Sequence, residues 1–277
     1  MGKFLIVDGY PAEGREQLVS VGVRPAWKMF ADMLERHNGG HGHEVLYPSD
    51  QPDLPSQDEL GQFAGVMWTG CSLCIHTPAD ERVDRQVELS RRAFAAGVPQ
   101  YGSCWAIQIA AVAAGGRVQA NPRGREVSVA RKIRLHEAGL SHPMFAGKPA
   151  VFDAFISHLD EVIDPPEGSQ VLGGNDFTAI QAMTVRYLKG DFWATQYHPE
   201  FSLVDMGRLI LARQQALISE GFFPDVPSLE VFARAMEALG LEPHRKDLRF
   251  LLSLDEDILD DRIRCLEFTN WMRAIGP

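Results

Sequence analysis

Val98-Pro-Gln-Tyr-Gly-Ser-Cys-Trp-Ala-Ile-Gln108 sets one cysteine between an apolar strand-like run and a helical pattern that ends at Gly115-Gly116. The order predicts a sharp strand-to-helix turn carrying Cys104, with the positive end of the helix behind the sulfur, a setting that favours a thiolate. Gly102 permits a tight approach on the entering side, while Ala106 stands where such an elbow usually has a second glycine. A cysteine in this place is either a small core residue or a nucleophile, and the second role requires a histidine that folds back beside it.

The partner lies downstream. Asp191-Phe-Trp-Ala-Thr-Gln-Tyr197 reads as a strand and runs into His198-Pro199-Glu200 before a helical pattern that begins near Ser202. Pro199 ends the strand and fixes the turn. The carboxyl ends of parallel strands open on one edge of a sheet, so Cys104 and His198 are expected to share a crevice. Glu200 is then placed to orient and polarise the imidazole.

Gly102-Ser-Cys104-Trp-Ala-Ile-Gln108 together with Gln196-Tyr-His198-Pro-Glu200 resembles the class I glutamine amidotransferase domain, in its stand-alone GMP-synthase type. Two further segments agree in order: Val66-Met-Trp-Thr-Gly70-Cys-Ser-Leu, and Ser157-His158-Leu-Asp160-Glu-Val with Pro166-Glu-Gly168. The resemblance covers residues 1–220. It implies that Cys104 attacks the side-chain amide of glutamine or another γ-glutamyl amide and that His198 protonates the departing ammonia or amine. Water activated by the same histidine would then hydrolyse the γ-glutamyl thioester. The tetrahedral oxyanion would lie between the amides of Trp105 and of the Gly70-Cys71 loop. Gln108 would face the substrate amide, with Ser157 and His158 near its amino-acid end. Departures from the family pattern are Ala106 and the Thr69-Gly70-Cys71-Ser72 loop.

Alternation of strand and helix patterns (strand Phe4 to Asp8, helix Pro25 to Arg36, strands Glu44 to Tyr47 and Gly65 to Thr69, helix Asp80 to Ala96) predicts an α/β fold. Its layers are an open, mostly parallel sheet with helices on both faces. Later runs, Val127 to Ala130, Lys132 to Leu135, Val151 to Ile156, Ala179 to Val185 and Phe192 to Gln196, are expected to add an antiparallel portion. The basic loop Asn121 to Glu126 offers cations that could touch a carboxylate, and is read first as a solvated turn. From residue 221 the pattern becomes a helical extension to 277, with Ser228 as a cap, Gly240 as a stop, and a second helix holding Ile258, Leu259, Ile263, Leu266 and Trp271. Its apolar residues, Val231, Phe232, Met236 and Leu239 among them, are expected to pack on the main domain or on a partner.

A chain of 277 residues, 45% hydrophobic and 23% charged, has the composition of a soluble globular protein. A formal net charge of -10 argues against nucleic acid or an anionic membrane as a partner. The uncharged stretch Phe63 to Ala79 is broken by Gly, Ser, Thr and Pro78, and a cytoplasmic protein is expected. Cys71 and Cys74 form a C-x-x-C pair near His76, without the second pair that a structural metal site would need, and are read as a plain loop. No cofactor and no metal is called for, and no P-loop or synthetase sequence is present to use ammonia, which points to a separate synthetase or acceptor protein. Three readings remain: an amidotransferase feeding such a partner, a hydrolase of other γ-glutamyl amides, and a noncatalytic regulatory protein.

Overall fold

The computed structural model describes residues 2–276 except Gly39 and Pro78, so the break expected at Pro78 lies outside the described residues. The strands are β1 (Lys3–Val7), β2 (Gly42–Leu46), β3 (Gly65–Trp68), β4 (Gln100–Ser103), β5 (Arg117–Ala120), β6 (Glu126–Leu135), β7 (Val151–His158), β8 (Asp160–Asp164), β9 (Ser169–Gly174), β10 (Ala182–Tyr187) and β11 (Gly190–Thr195). Nine of them make one sheet in the order β2-β1-β3-β4-β11-β10-β9-β6-β7, while β5 and β8 pair separately. From β2 to β11 neighbours run parallel, and from β11 to β7 they run antiparallel.

Strands β1 and β3 are buried on both faces, which is why they read as continuous apolar runs, whereas the edge strand β2 is largely exposed. In β1, Leu5 and Val7 join Val66, Trp68, Phe192 and the helices Glu81–Ala96 and Trp105–Ala113 on one side. Phe4 and Ile6 join Met67, Tyr101, Phe30 and Leu34 on the other. This alternation gives the expected three layers.

Several elements differ from the sequence expectation. The two runs read in Val127 to Leu135 are one strand, β6, interrupted by a register shift between Ala130 and Ile133 where Lys132 takes φ 52. A bulge of this kind breaks the apolar alternation without ending the strand. The helix Ala12–Ser20 and the strands β5, β8 and β9 had no legible signal: the helix buries no residue, and β5 and β8 bury one valine each, Val118 and Val162, among polar neighbours.

The C-terminal extension also departs in detail. Its first helix is Val226–Leu241, capped by Asp225, whose carboxylate accepts from the Ser228 amide, so Ser228 lies inside the first turn. Gly240 does not end it: a Cβ there would meet Val204 Cγ2 at 3.0 Å and Leu203 Cβ at 3.1 Å, and Gly207 on the facing helix is as tightly covered. These glycines let two helices approach closely. Val231 points to solvent, and Leu229 and Ala233 are buried in its stead. The single second helix is three short ones, Glu256–Leu259, Asp261–Arg264 and Leu266–Ile275, separated where Asp260 caps the Arg262 amide. Cys265, Phe268, Trp271 and Met272 enter the same apolar cluster as Phe4 and Tyr101, with Trp271 and Tyr101 ring centroids 5.5 Å apart.

Candidate active site

Strand β4 ends at Ser103 and the helix Trp105–Ala113 begins two residues later, so one residue must turn the chain. That residue is Cys104, at φ 55 and ψ -96, a conformation that costs a non-glycine residue about 1–3 kcal/mol. Its amide donates to Thr195 O at 2.7 Å, which ties the turn to the end of β11. Gly102 explains how Ala106 is tolerated. A Cβ at position 102 would lie 2.5 Å from the Ala106 Cβ and 2.4 Å from Trp68 O, so the elbow has room for one methyl and Ala106 supplies it. Gly102→Ala is expected to lower stability by about 3 kcal/mol, the upper end for overpacking, read as a drop in urea midpoint.

His198 reaches Cys104 from the neighbouring strand end. Its amide donates to Phe155 O at 2.8 Å, and its ring stacks on Phe201 at 4.1 Å with an 11° tilt. Nδ1 and Glu200 Oε1 are 2.7 Å apart, both side chains are buried, and the Ser103 hydroxyl donates to the same carboxylate oxygen at 2.8 Å. The imidazole also lies within electrostatic reach of the Cys104 thiol. Burial works against a charged ring, but the Glu200 carboxylate and Cys104 outweigh it and lift the His198 pKa from 6.5 to about 10.

The turn around His198 is held from the C-terminal segment. Tyr197 donates from its hydroxyl to Glu267 Oε1 at 2.5 Å, and Glu267 is paired with buried Lys148 at 3.0 Å. Pro199 O accepts from Cys265 Sγ at 3.2 Å and from Arg264 Nε at 3.3 Å.

Gly70, in the loop after β3, faces the pair: a Cβ there would stand 3.1 Å from His198 Cε1 and 3.8 Å from Cys104 Cβ. The amide of Trp105 is the first of its helix and has no acceptor within it. Cys71 is pinned, its thiol donating to Gly9 O at 3.0 Å and accepting from the Leu73 amide at 3.3 Å, and burial pushes its pKa up. Its thiol is therefore a structural group, and what its loop offers the site is backbone.

Cys104 and Trp105 open on a cleft of about 300 Å³ whose wall also includes Gln108, Ser157, His158 and Arg213, while Gly70, His198 and Glu200 line a separate pocket of about 20 Å³. Gln108 Nε2 donates to Asp160 O at 3.1 Å. Ser157 presents its carbonyl to Cys104 Sγ at 3.7 Å and its hydroxyl to Arg213. Both ring nitrogens of His158 are engaged, Nδ1 with Asp160 O at 2.9 Å and Nε2 with Glu126 at 3.1 Å, so His158 shapes the wall and has no nitrogen to spare.

The model of the family "Glutamine amidotransferase class-I" matches residues 74–216. A γ-glutamyl-L-1-hydroxyisopropylamide hydrolase of Pseudomonas sp is 30% identical over 276 residues, 98% of this chain and 92% of that protein. The chain belongs to the class I glutamine amidotransferase family. GMP synthase (glutamine-hydrolyzing) of Thermomicrobium roseum is 36% identical over 147 residues, 53% of this chain and 25% of that protein, so the chain matches only part of such synthases. Among solved structures, a glutamine amidotransferase from Thermotoga maritima covers 100% of this chain and 99% of its own, with TM-score 0.66 at 16% identity. One from Methylobacillus flagellatus covers 98% and 94%, also at 0.66, with 19% identity. At those identities they attest the three-layer fold with its helical C-terminal segment.

Family membership makes the chain a cysteine-dependent amide hydrolase, and the structure places on the cleft two arginines that the sequence did not single out. Arg125, placed in a solvated turn above, is mostly buried on the cleft wall and forms a two-pronged ion pair with Glu220 at 2.7 and 3.0 Å. Arg213, at the junction of the helices Leu203–Ala212 and Gln214–Ser219, was not singled out because no local motif marks it. Among the described residues no helix is long and apolar enough to cross a membrane.

Proposed function

We propose that the chain hydrolyses γ-glutamyl amides through a Cys104, His198 and Glu200 triad. The observation that carries the reading is a strained cysteine, lining a cleft of about 300 Å³, beside an imidazole backed by a buried carboxylate. The Cys104 sulfur forms a bond to the amide carbon while the C–N bond breaks, and the His198 imidazolium gives its proton to the departing nitrogen. Water then adds to the thioester, its proton returns to His198, and the acid leaves as the sulfur is released. The Trp105 and Gly70-Cys71 amides would receive the oxyanion, each such donor being worth about 3 kcal/mol.

Likeness along nearly the whole chain to a hydrolase of a γ-glutamyl alkylamide supports an N-substituted γ-glutamyl amide as substrate. A second reading, glutamine as substrate with ammonia passed to a separate synthetase, draws support from the partial match to GMP synthases. The intact triad residues speak against a noncatalytic protein. Steady-state release of ammonia or amine by the purified chain, over a panel of γ-glutamyl amides with glutamine as reference, separates them. A free-standing hydrolase is expected to turn over an N-alkyl amide near the common enzyme value of about 10 per second. An amidotransferase that needs its partner would be slow on every amide, yet still label at Cys104 with a diazo-ketone analogue of glutamine.

Arg213 is the cation best placed for the substrate carboxylate, since its guanidinium already reaches the Ser157 hydroxyl on the cleft wall. Arg213→Gln is expected to raise KM about 10- to 100-fold with a smaller change in kcat, as for loss of one charged hydrogen bond made equally in ground and transition states.

A further inference from the structure

Cys74, His76 and Asp160 converge beside the cleft and take no part in the reaction above. Cys74 Sγ lies 3.3 and 3.2 Å from the two ring nitrogens of His76 and 3.3 Å from Asp160 Oδ2, and His76 Nδ1 is 3.4 Å from that same oxygen. A tetrahedral zinc with bonds of about 2.3 Å to sulfur and about 2.0 Å to nitrogen and oxygen sets its ligand atoms about 3.3–3.6 Å apart. The three donors therefore already stand near the edge lengths of such a site. A thiolate, an imidazole and a carboxylate are the donor types zinc takes, and the two anions offset its charge.

The surroundings suit a ligand set. Asp160 is held on strand β8, its carbonyl accepting from Gln108 Nε2 at 3.1 Å and lying 2.9 Å from His158 Nδ1, so its carboxylate starts from a fixed backbone. His76 keeps 43% of its side chain exposed, which leaves its ring free to turn one nitrogen from the present face-on contact toward an ion. Cys74 and Asp160 both line the cleft that holds Cys104.

We propose that Cys74, His76 and Asp160 bind one Zn²⁺ with three protein ligands, and that the bound ion, standing in the cleft wall, reversibly inhibits hydrolysis at Cys104. The C-x-H spacing on the loop carries two ligands, and the third arrives from 86 residues away, which is why the sequence showed an incomplete pair.

Co²⁺ titration of the purified full-length chain, followed by absorbance, tests the binding without reference to any substrate. One Co²⁺ per chain is expected, with the intense visible bands of a four-coordinate ion and a near-ultraviolet sulfur-to-cobalt charge-transfer band. Cys104→Ser should retain that band and Cys74→Ser should lose it. His76→Ala, at an exposed side chain that puts folding at little risk, should weaken Zn²⁺ binding at least about tenfold. On any amide the protein turns over, Zn²⁺ should inhibit the parent chain, a chelator should restore it, and His76→Ala should need at least about tenfold more Zn²⁺ for the same inhibition. Absence of binding, a band that survives Cys74→Ser, a band lost in Cys104→Ser alone, or equal Zn²⁺ sensitivity of His76→Ala would overturn the proposal. An inactive protein that still shows the Cys74-dependent band would instead count against the γ-glutamyl hydrolase reading.

Discussion

Cys104→Gly is expected to be catalytically dead and yet more stable than the parent. Removing the nucleophile of a cooperating catalytic unit costs on the order of 10⁶ in kcat. The same change relieves the backbone strain at φ 55, where glycine carries no Cβ penalty, so the denaturant midpoint should rise by an amount equivalent to about 1 kcal/mol. A Cys104→Ala variant loses the same activity without that gain, because alanine keeps the Cβ. Kinetics on the best amide of the panel and urea titrations of the three proteins check both halves. Residual turnover within tenfold of the parent in either variant would remove Cys104 from the chemistry. A glutamine-like electrophile should label the parent at Cys104 and leave Cys71 untouched, since that thiol is pinned to Gly9 O and burial raises its pKa.

His198→Ala is expected to be as severe, on the order of 10⁶, whereas Glu200→Gln, which leaves the proton carrier in place but disturbs its orientation, should cost about 10⁴. The double variant Cys104→Ala/His198→Ala should be no worse than either single one, because groups acting as a unit lose their effect together. The charge state of His198 adds a test on stability. Its pKa is raised from 6.5 to about 10, so the stabilisation from a charged imidazole beside Glu200 is complete below pH 6.5 and is lost as the pH rises through 10. Denaturant midpoints of the parent relative to His198→Gln should therefore draw together from pH 6 to pH 10, in the window set by that shift. A difference that stayed flat or widened would mean that the imidazole is neutral in the folded protein.

What could be read from the sequence was local. Cys104 was visible because strand, turn and helix follow one another within a dozen residues, and His198 because Pro199 punctuates the end of a buried strand. Strands β1 and β3 in the parallel half of the sheet were visible for the same reason, being apolar runs such as Phe4-Leu-Ile-Val7. Residues that act on the site from a distance left no such mark. Arg213 sits between two helices, Arg125 in a polar turn, and Asp160 on a strand with two buried residues, itself and Val162. What draws them to the cleft is tertiary closure, and their spacing in the chain carries no trace of it. Glu267 is the extreme case: a carboxylate inside a helix reads as solvated surface, yet it is fully buried between Lys148 and Tyr197.

The contacts of Arg264, Cys265 and Glu267 with Pro199 and Tyr197 make the C-terminal segment a mechanical support of the turn that carries His198. The residues on either side of His198 acquire these anchors only when the segment from 264 to 271 docks against Tyr101 and Phe4. His198 itself is held by Phe155 O, Phe201 and Glu200, so what this segment adds is support for the residues on either side of it. The segment 264–271 therefore acts as a brace, so that loosening its seat against Tyr101 and Phe4 would be felt at the residues flanking His198.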